Sequence, residues 1–441
     1  MSSYRALIFT IFSLSSCFIF YHLNSNIKST YMDEFFHLDQ AISFYNSNYT
    51  YWNSKLTTFP GTFFTASLFM KFVHLINDSI PLLMSARLFT LIISIFSFFL
   101  LGKFSSDNCS VFRLIITLLP INYFYNYLFY TDTFSTFGLI LYFYFGLKEN
   151  KNSILIFITA MLSVLMRQNN IIWVNLLPLS DGMNIIVEFF KNKSISQFMK
   201  NLIKTFVDYL PIVIVDGLFV CFLKWNNFSV VLGDKSHHEM CLHFAQINHL
   251  LIFSLVIFPF INCKLFTLLK KEFYTKKKLI TFFISLLLIL CLVFTFNKFS
   301  YVHDFILSDN RHYSFYYFRK IYNVLIIRKI ILVYISIVYA LVIVDNVNLL
   351  CDTKIISFCI CTTMCLIPAK LVEFRYFISI FVILLILIEH NKSSYINIYN
   401  LLFHKIHILL YIIENSILLY IFIKLPFKNE SFGNEMSRFM F

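Results

Sequence analysis

Two adjacent carboxylates and a nearby histidine are the first residues along the chain whose types and spacing could do chemistry. Asp33 and Glu34 follow a long apolar stretch, and His37 lies four residues after Asp33 and three after Glu34. On a helix this spacing brings the imidazole close to both carboxylates. Three interpretations are open: a helix cap or dipole partner, a metal site, and a general base that takes a proton from a hydroxyl group at a membrane surface. The spacing matches no established metal-ligand motif, which weakens the second.

Five further polar clusters contain candidate binding residues. Their members are Asp132; Arg167; Asp234, His237 and Glu239; Asn310, Arg311 and His312; and Arg375. Ionisable groups at membrane depth are expensive and are functional candidates by default. Arg311 and Arg375 suit a phosphate group, which a guanidinium can bind through two parallel hydrogen bonds. His312 could donate a further hydrogen bond to the same group.

A second interpretation applies to the ionisable residues at the ends of apolar stretches. Asp132, Arg167 and Arg375 could each be an interfacial anchor whose polar end reaches for water. Arg375 could also pair with Glu373, which lies two residues before it. For one residue alone the anchor is the better interpretation, whereas six clusters on one face of a membrane favour a shared site.

Composition identifies the kind of protein that positions these residues. Of the 441 residues, 59% are hydrophobic and 13% are charged, against roughly 45–50% and about 25% in soluble domains. A soluble fold of this size could not bury so much apolar surface. Four long stretches lack any charged residue, namely 6–21, 279–296, 330–344 and 376–388. Because no small-residue cleavage site clearly follows 6–21, we interpret it as a retained span and not as a signal peptide.

The apolar stretches together predict an all-α fold, a polytopic transmembrane helical bundle of about 13 spans (roughly 12–14). A transmembrane barrel would show alternating polarity, which these stretches lack. We expect a single integral-membrane domain over residues 1–441. Its polar tail, residues 425–441, is predicted to be mobile.

Lysine-rich loops orient the spans. The formal net charge is +13, and the lysines cluster in short loops at about 148–151, 191–204 and 264–278. Such loops stay in the cytoplasm, so they indicate membrane topology and not nucleic-acid binding. If 60–76 lies along the membrane surface, the first long loop covers about 22–83 and carries surface helices. On that count all six polar clusters fall on the non-cytoplasmic face.

Seven stretches spread over nearly the whole chain carry more specific patterns. They are MDEFFHLDQA (32–41), TTFPGTF (57–63), FYTD (129–132), MRQNNIIWV (166–174), VLGDKSHHEMCLHFAQ (231–246), HDFILSDNRHYSFYYFRK (303–320) and VEFRYF (372–377). In this order they resemble the endoplasmic reticulum α-1,2-glucosyltransferase family that adds the last glucose to the lipid-linked oligosaccharide for N-glycosylation. The chain departs from the family at Phe59-Pro60, where the family has a double proline, and at Asn169, where the family has RQTN.

The resemblance implies a GT-C-class glycosyltransferase of the endoplasmic reticulum membrane whose active site faces the lumen. The donor would be dolichyl-phosphate-glucose and the acceptor the diglucosylated oligosaccharide on dolichyl diphosphate. Transfer would be inverting and would require no metal or other cofactor. The acidic base of the family's first lumenal loop falls on Asp33 and Glu34, and which of the two acts stays open. His37 and the five other clusters are then candidates for substrate binding, with Arg311 and next Arg375 on the phosphate.

Two rival functions are weighed against this one. A transporter or channel-like protein would carry charges at mid-span, often in broken helices, whereas most charges here lie at span ends and in loops. A related lipid-phosphate-sugar glycosyltransferase could use mannose or another acceptor. Transfer from dolichyl-phosphate-glucose to purified acceptor would separate all three.

Overall fold

The apolar stretches of the sequence are helical throughout the part of the chain that the structure describes. This computed structural model describes residues 3–104, 111–235, 239–269, 275–429 and 435–441. Candidate residue His237 lies outside the described residues.

Twenty-one α-helices are described. In chain order they are α1 Ser3–Asn26, α2 Glu34–Tyr45, α3 Gly61–Ile76, α4 Leu82–Leu101, α5 Val111–Leu118, α6 Pro120–Tyr125, α7 Thr131–Gly146, α8 Ser153–Met166, α9 Asn170–Val174, α10 Leu176–Asn192, α11 Ile195–Asp208, α12 Leu210–Trp225, α13 Ala245–Ile257, α14 Thr275–Phe299, α15 Asp304–Ser308, α16 Tyr313–Tyr316, α17 Leu325–Asp345, α18 Thr353–Leu366, α19 Phe377–His390, α20 Ile396–Leu402 and α21 Ile406–Lys424. Short 3₁₀ segments cover Pro259–Leu269, Val347–Cys351 and Phe374–Tyr376, and Tyr317–Tyr322 is a π-helical turn.

The described helices identify an all-α, multi-pass membrane protein. Six of them are long and apolar enough to cross a membrane, or eight if each of two bent helix pairs forms one span. The bent pairs are Ile195–Asp208 with Leu210–Trp225, at 62°, and Ala245–Ile257 with Pro259–Phe266, at 87°. The structure therefore supports several membrane-spanning helices. The predicted total of about 13 spans also counts shorter apolar helices and stays a prediction.

The chain folds into two compact units. Unit 1 comprises Met1–Arg113, Tyr125–His238 and Ile356–Cys361, and unit 2 comprises Leu114–Phe124, Glu239–Ile355 and Thr362–Phe441. Both units are built from the same kind of apolar helix, so composition gave no sign of the division. The single domain expected over 1–441 stays a prediction.

The core of unit 1 includes the helices of the first long loop. Helix α1 continues to Asn26, so this loop begins later than predicted. Phe63, Ala66 and Met70 of α3 are fully buried in a cluster that includes residues of α2, α4 and α7. The opposite face of α3 exposes apolar side chains such as Phe64 and Phe72. Helices α2 and α3 therefore form part of the protein core and are not loosely attached surface elements.

Close packing of α7 on α8 fixes the two turns that later contribute site residues. A Cβ atom added to Gly138 would lie 2.8 Å from the Cα atom of Ser163, so only glycine allows this approach without a shift of the backbone. Small residues at helix contacts are the usual basis of helix association in membranes. Asn170 joins the same helices, because its side-chain amide donates to Ser163 O at 2.9 Å and to Ser135 Oγ at 3.0 Å.

Replacing Gly138 by alanine is expected to destabilise the protein by about 1–3 kcal/mol, the usual range for overpacking a filled interior. The methyl group would press on the backbone of α8. Thermal unfolding of the purified protein in detergent measures the change. Gly182→Ala in α10 is the matched control, because its added Cβ meets nothing within 4 Å and alanine favours helix. Equal unfolding temperatures for the two variants would contradict this packing interpretation.

In unit 2 the helices α14 and α17 pack together, and α19 is almost entirely buried. A second apolar cluster joins Ile306, Phe318, Tyr322 and Val372. Among the described residues of the tail, Phe427–Asn429 (β1) and Glu435–Ser437 (β2) pair as antiparallel strands. Aromatic side chains of these described parts pack together, with the Phe427 and Phe439 rings 4.4 Å apart.

Candidate functional site

Asp33 lies at the N-terminal end of α2, in an irregular turn that follows α1. The residue before it, Met32, has a φ of 54°, in the left-handed region that non-glycine residues rarely adopt. Such strain persists where surrounding contacts impose it, and it is frequent at functional sites. Asp33 occupies the N-cap position of α2, as the cap or dipole interpretation expects, although its side chain accepts no capping hydrogen bond from the described first turn. Its side chain is half-buried.

Glu34, the neighbouring carboxylate, has a different environment. It is fully buried and forms a two-pronged ion pair with Arg87 of α4, with Nε to Oε1 at 2.8 Å and Nη2 to Oε2 at 2.6 Å. The amides of Phe129 and Tyr31 also donate to the two carboxylate oxygens, at 2.8 and 3.1 Å. Its two carboxylate oxygens thus accept hydrogen bonds from four donors, which suits a structural role, and Glu34 is more deeply buried than Asp33.

Arg87 is the residue that pattern reasoning missed. Its remaining N–H groups donate to Asn24 Oδ1, Ile27 O and Ser29 O, at 3.1, 2.7 and 3.0 Å, so all five donors of the guanidinium are used. Arg87 thereby ties the end of α1 and the turn before Asp33 to α4. A single arginine in an otherwise apolar helix is the signal that could have indicated it, although Arg87 belongs to no cluster of polar residues in the sequence.

His37 belongs to the same buried network. Its Nδ1 atom lies 3.0 Å from the carbonyl oxygen of Phe129, and since a carbonyl only accepts, this nitrogen donates. The imidazole packs against the rings of Phe63 and Tyr130 at 5.5 and 5.2 Å. His37 and Glu34 therefore bind the carbonyl and the amide of the same residue, which fixes the turn leading to Asp132.

Asp132 and Arg167 meet in an ion pair of 2.6 Å between α7 and the turn after α8. The Asp132 side chain is 1% exposed and that of Arg167 is 14% exposed. Oδ2 of Asp132 is buried and has no hydrogen-bond partner among the described residues. Simple anchors at a membrane interface would be exposed to water, so this burial favours a role inside the protein.

The next residue, Gln168, links this pair to the first loop. Its side-chain amide donates to Thr57 O at 2.8 Å. The same carbonyl accepts from the amide of Leu232 at 3.3 Å, and Gly233 donates to Leu56 O at 2.8 Å. Asp234, which is half-buried, follows directly. In unit 1, Glu34 and His37 thus bind the backbone of Phe129, Asp132 pairs with Arg167, and Asp234 follows directly after a backbone contact with the first loop.

Unit 2 carries the other described candidates. Asp309 receives hydrogen bonds from Nε and Nη2 of Arg311, both at 2.8 Å. Burial raises the pKa of Asp309, but the side-chain and backbone hydrogen bonds from Arg311 outweigh it, so the net pKa is lowered and the carboxylate stays charged. His312 lies beside Arg311, with Nδ1 3.0 Å from Phe441 O. Asn310, which lies between Asp309 and Arg311, is half-buried.

Arg375 and Glu373 form an ion pair, so the pairing considered for Arg375 is present. Glu239 is exposed. His243 has the opposite environment: it is fully buried and accepts the amide of Tyr301 at Nε2, at 3.2 Å. Burial lowers the pKa of His243, which favours the neutral imidazole.

A multi-pass helical membrane protein with buried and half-buried ion pairs near the ends of its helices is the class that these features define. The family model described as the DIE2/ALG10 family matches residues 27–386. The chain belongs to this family.

Named relatives agree with one another. A human protein called Dol-P-Glc:Glc(2)Man(9)GlcNAc(2)-PP-Dol alpha-1,2-glucosyltransferase is 29% identical, over 97% of this chain and 96% of its own length. A second human protein of that name is 30% identical over 84% of this chain and 86% of its own. An Arabidopsis thaliana protein with the same name is 26% identical over 80% and 85%. No solved structure matches the chain.

Proposed function

We propose that this chain transfers glucose from dolichyl-phosphate-glucose to the diglucosylated oligosaccharide on dolichyl diphosphate, forming the terminal α-1,2 linkage of the N-glycosylation precursor. The observation that carries the proposal is the family match over residues 27–386, together with relatives in animals and plants whose names state the same glucosyltransferase activity. The same comparisons favour a hexosyltransferase over the transporter or channel alternative.

The proposed architecture is the GT-C type in the endoplasmic reticulum membrane, with about 13 spans and the site facing the lumen. Support comes from the antiparallel pair α7 and α8 in unit 1. Asp132 and Arg167 lie at one end of this pair. At the other end, Lys148 follows α7 and Lys151 precedes α8. The 16 residues of α7 separate these ends by roughly 24 Å. If the lysine-rich loops are cytoplasmic, Asp132 and Arg167 lie on the lumenal side, and α3 would run along the membrane surface on that side while one of its faces packs into the core of unit 1.

The proposed base is Asp33. The 2-hydroxyl of the acceptor glucose would attack the anomeric carbon of the donor, the bond from that carbon to the phosphate oxygen would break, and Asp33 would take the hydroxyl proton. Inversion turns the β-linked donor into the α-linked product. Glu34 is the weaker candidate, because its oxygens already accept four hydrogen bonds and the side chain is fully buried.

Cations would stabilise the dolichyl phosphate that leaves. We propose Arg311 first and Arg375 second, because a guanidinium can bind phosphate through two bonds. Each is already paired with a carboxylate two residues away, which orients the group and leaves less reorganisation for the reaction itself. His37, Asp132, Arg167, Asp234, His237, Glu239, Asn310 and His312 are proposed as substrate-binding residues.

Glucose transfer by the purified protein tests the function. In detergent or liposomes with dolichyl-phosphate-glucose and the diglucosylated lipid-linked oligosaccharide, we expect a product one hexose larger, with its terminal glucose removable by an α-1,2-specific glucosidase. Dolichyl-phosphate-mannose serves as the matched alternative donor and is expected to give no product. Transfer of mannose instead of glucose would indicate the sister enzyme. An absence of any transfer by folded protein would reject the glycosyltransferase assignment.

A further inference from the structure

Residues 438–441 run beside the segment 309–313 in unit 2. Met440 donates its amide to Arg311 O at 2.9 Å and accepts the amide of Tyr313 at 3.1 Å, so it pairs with His312 as a short parallel bridge. The carbonyl oxygen of Phe441 accepts from His312 Nδ1 at 3.0 Å. Three hydrogen bonds therefore join the tail to three consecutive residues that include two of the proposed binding residues.

Side-chain packing reinforces these bonds. Met440 is 1% exposed. The ring of Phe439 lies 6.3 Å from that of Tyr313 and 5.8 Å from that of Tyr316. The Phe441 ring lies 5.6 Å from that of Tyr313. Aromatic pairs at such distances add to the free energy of burial, so the tail is packed against this segment along its length.

Arg438 anchors the tail on its other side. Its Nη1 atom donates to Phe422 O at 2.6 Å and to Ile423 O at 2.8 Å. These carbonyls belong to the last turn of α21, where helix carbonyls need partners from outside the helix. The tail is therefore bound to α21 through Arg438. It is bound to the segment 309–313 through Met440 and Phe441.

The segment 309–313 needs outside support for its backbone. It connects two short helices, α15 and α16, so a regular helix satisfies neither Arg311 O nor Tyr313 N. Asp309 orients the Arg311 side chain through a two-pronged ion pair, but this pair fixes the guanidinium only relative to its own segment. Met440 supplies hydrogen-bond partners for Arg311 O and Tyr313 N, the backbone groups on either side of His312.

We propose that Met440 and Phe441 are positioning residues, which hold Arg311 and His312 in the orientation that binds the phosphate of the donor. This inference rests on the proposed function, since it takes Arg311 as a phosphate ligand. It assigns the tail a part in donor binding, where composition indicated a mobile segment.

Met440→Pro tests the role, because proline lacks the amide hydrogen that Arg311 O accepts. The expected result is a rise of about tenfold in KM for dolichyl-phosphate-glucose. An effect of this size is expected when one well-placed hydrogen bond is lost and the bonds beside it are weakened. KM for the lipid-linked acceptor is expected to stay close to that of the parent, whereas the unfolding temperature should fall because the buried Met440 side chain is lost. Met440→Leu, which keeps the backbone bonds and most of the side-chain volume, is the matched control and is expected to behave as the parent.

A double-mutant cycle separates positioning from general stability. In an Arg311→Ala background Met440→Pro should raise the donor KM by clearly less than the tenfold expected in the parent, because only the contribution of His312 is left to lose and coupled residues are non-additive. Additive effects, or equal effects on both substrates, would overturn the proposal. If Met440→Pro does not fold, Phe439→Ala replaces it and is expected to raise the donor KM about threefold through lost ring packing; an unchanged donor KM would again overturn it. If the parent itself transfers no glucose, the proposed function fails, whereas an active parent with an unaffected variant rejects only the role of the tail.

Discussion

Asp33→Asn is expected to lower the rate of glucose transfer at least about a hundredfold, the lower end of what a general base contributes. Asparagine keeps the shape of the side chain but cannot take the proton of the attacking hydroxyl. The variant should remain folded, because the neighbouring ion pair of Glu34 and Arg87 holds the turn. Single-turnover transfer at saturating donor and acceptor measures the chemical step, and size-exclusion chromatography in detergent measures the folded fraction.

Asp39→Asn is the matched control for this variant. Asp39 lies in the same helix, and its carboxylate accepts hydrogen bonds from Tyr51 Oη at 2.8 Å and Asn53 Nδ2 at 2.7 Å. The loss of these bonds should affect the first loop locally, with less than about a threefold change in rate, since exposed polar contacts contribute little. Transfer at the parental rate by folded Asp33→Asn would reject Asp33 as the base.

The sequence predicted Asp33 and Glu34 as a candidate pair but not their different environments. Successive residues of a helix point about 100° apart, so Asp33 and Glu34 face different surroundings. Which of them turns into the protein depends on how α2 docks. The docking is set by Arg87, which lies 53 residues further along the chain. A pattern read over a few residues cannot contain such a partner.

Helix α3 shows a second limit of the sequence. Its apolar residues cover both faces: Phe63 and Met70 are buried, while Phe64, Leu68 and Phe72 are exposed. Hydropathy is therefore uniform around the helix, so it could not distinguish the protein core from a face towards lipid. The burial of Ala66 became clear only from the packing of α3 on α2 and α4.

Local pairs were easier to anticipate. Glu373 and Arg375 are two residues apart, and their ion pair was one of the alternatives drawn from the sequence. Asp132 and Arg167 were recognised as candidates separately, but their contact requires α7 and α8 to pack as an antiparallel pair. Residue types and helical stretches were thus predictable, whereas contacts between distant segments were not.

Arg87→Met is expected to abolish most of the folded protein. It would leave the carboxylate of Glu34 buried without its cation, and breaking one partner of a buried ion pair typically destabilises a protein by about 3–5 kcal/mol. The carbonyl groups of Ile27 and Ser29 would also lose their donors. Thermal unfolding in detergent, together with the yield of monodisperse protein, measures the loss. Lys103→Met is a control for removal of a positive charge near the end of the same helix, where Lys103 lies over the ring of Phe99, and little change is expected.

The double variant Arg87→Met with Glu34→Met separates stability from positioning. An apolar pair of similar volume can replace a buried ion pair at little cost in stability, so the double variant should recover much of the unfolding temperature lost by Arg87→Met. Glucose transfer should nevertheless stay at least about tenfold below the parent, because the turn that carries Asp33 has lost its tie to α4 and small misplacements of reacting groups are costly. Full recovery of transfer along with stability would show that the ion pair serves folding alone. No recovery of stability would instead show that the loss comes from unsatisfied backbone groups, namely the carbonyls of Ile27 and Ser29 and the amides of Tyr31 and Phe129, and not from the buried charge of Glu34.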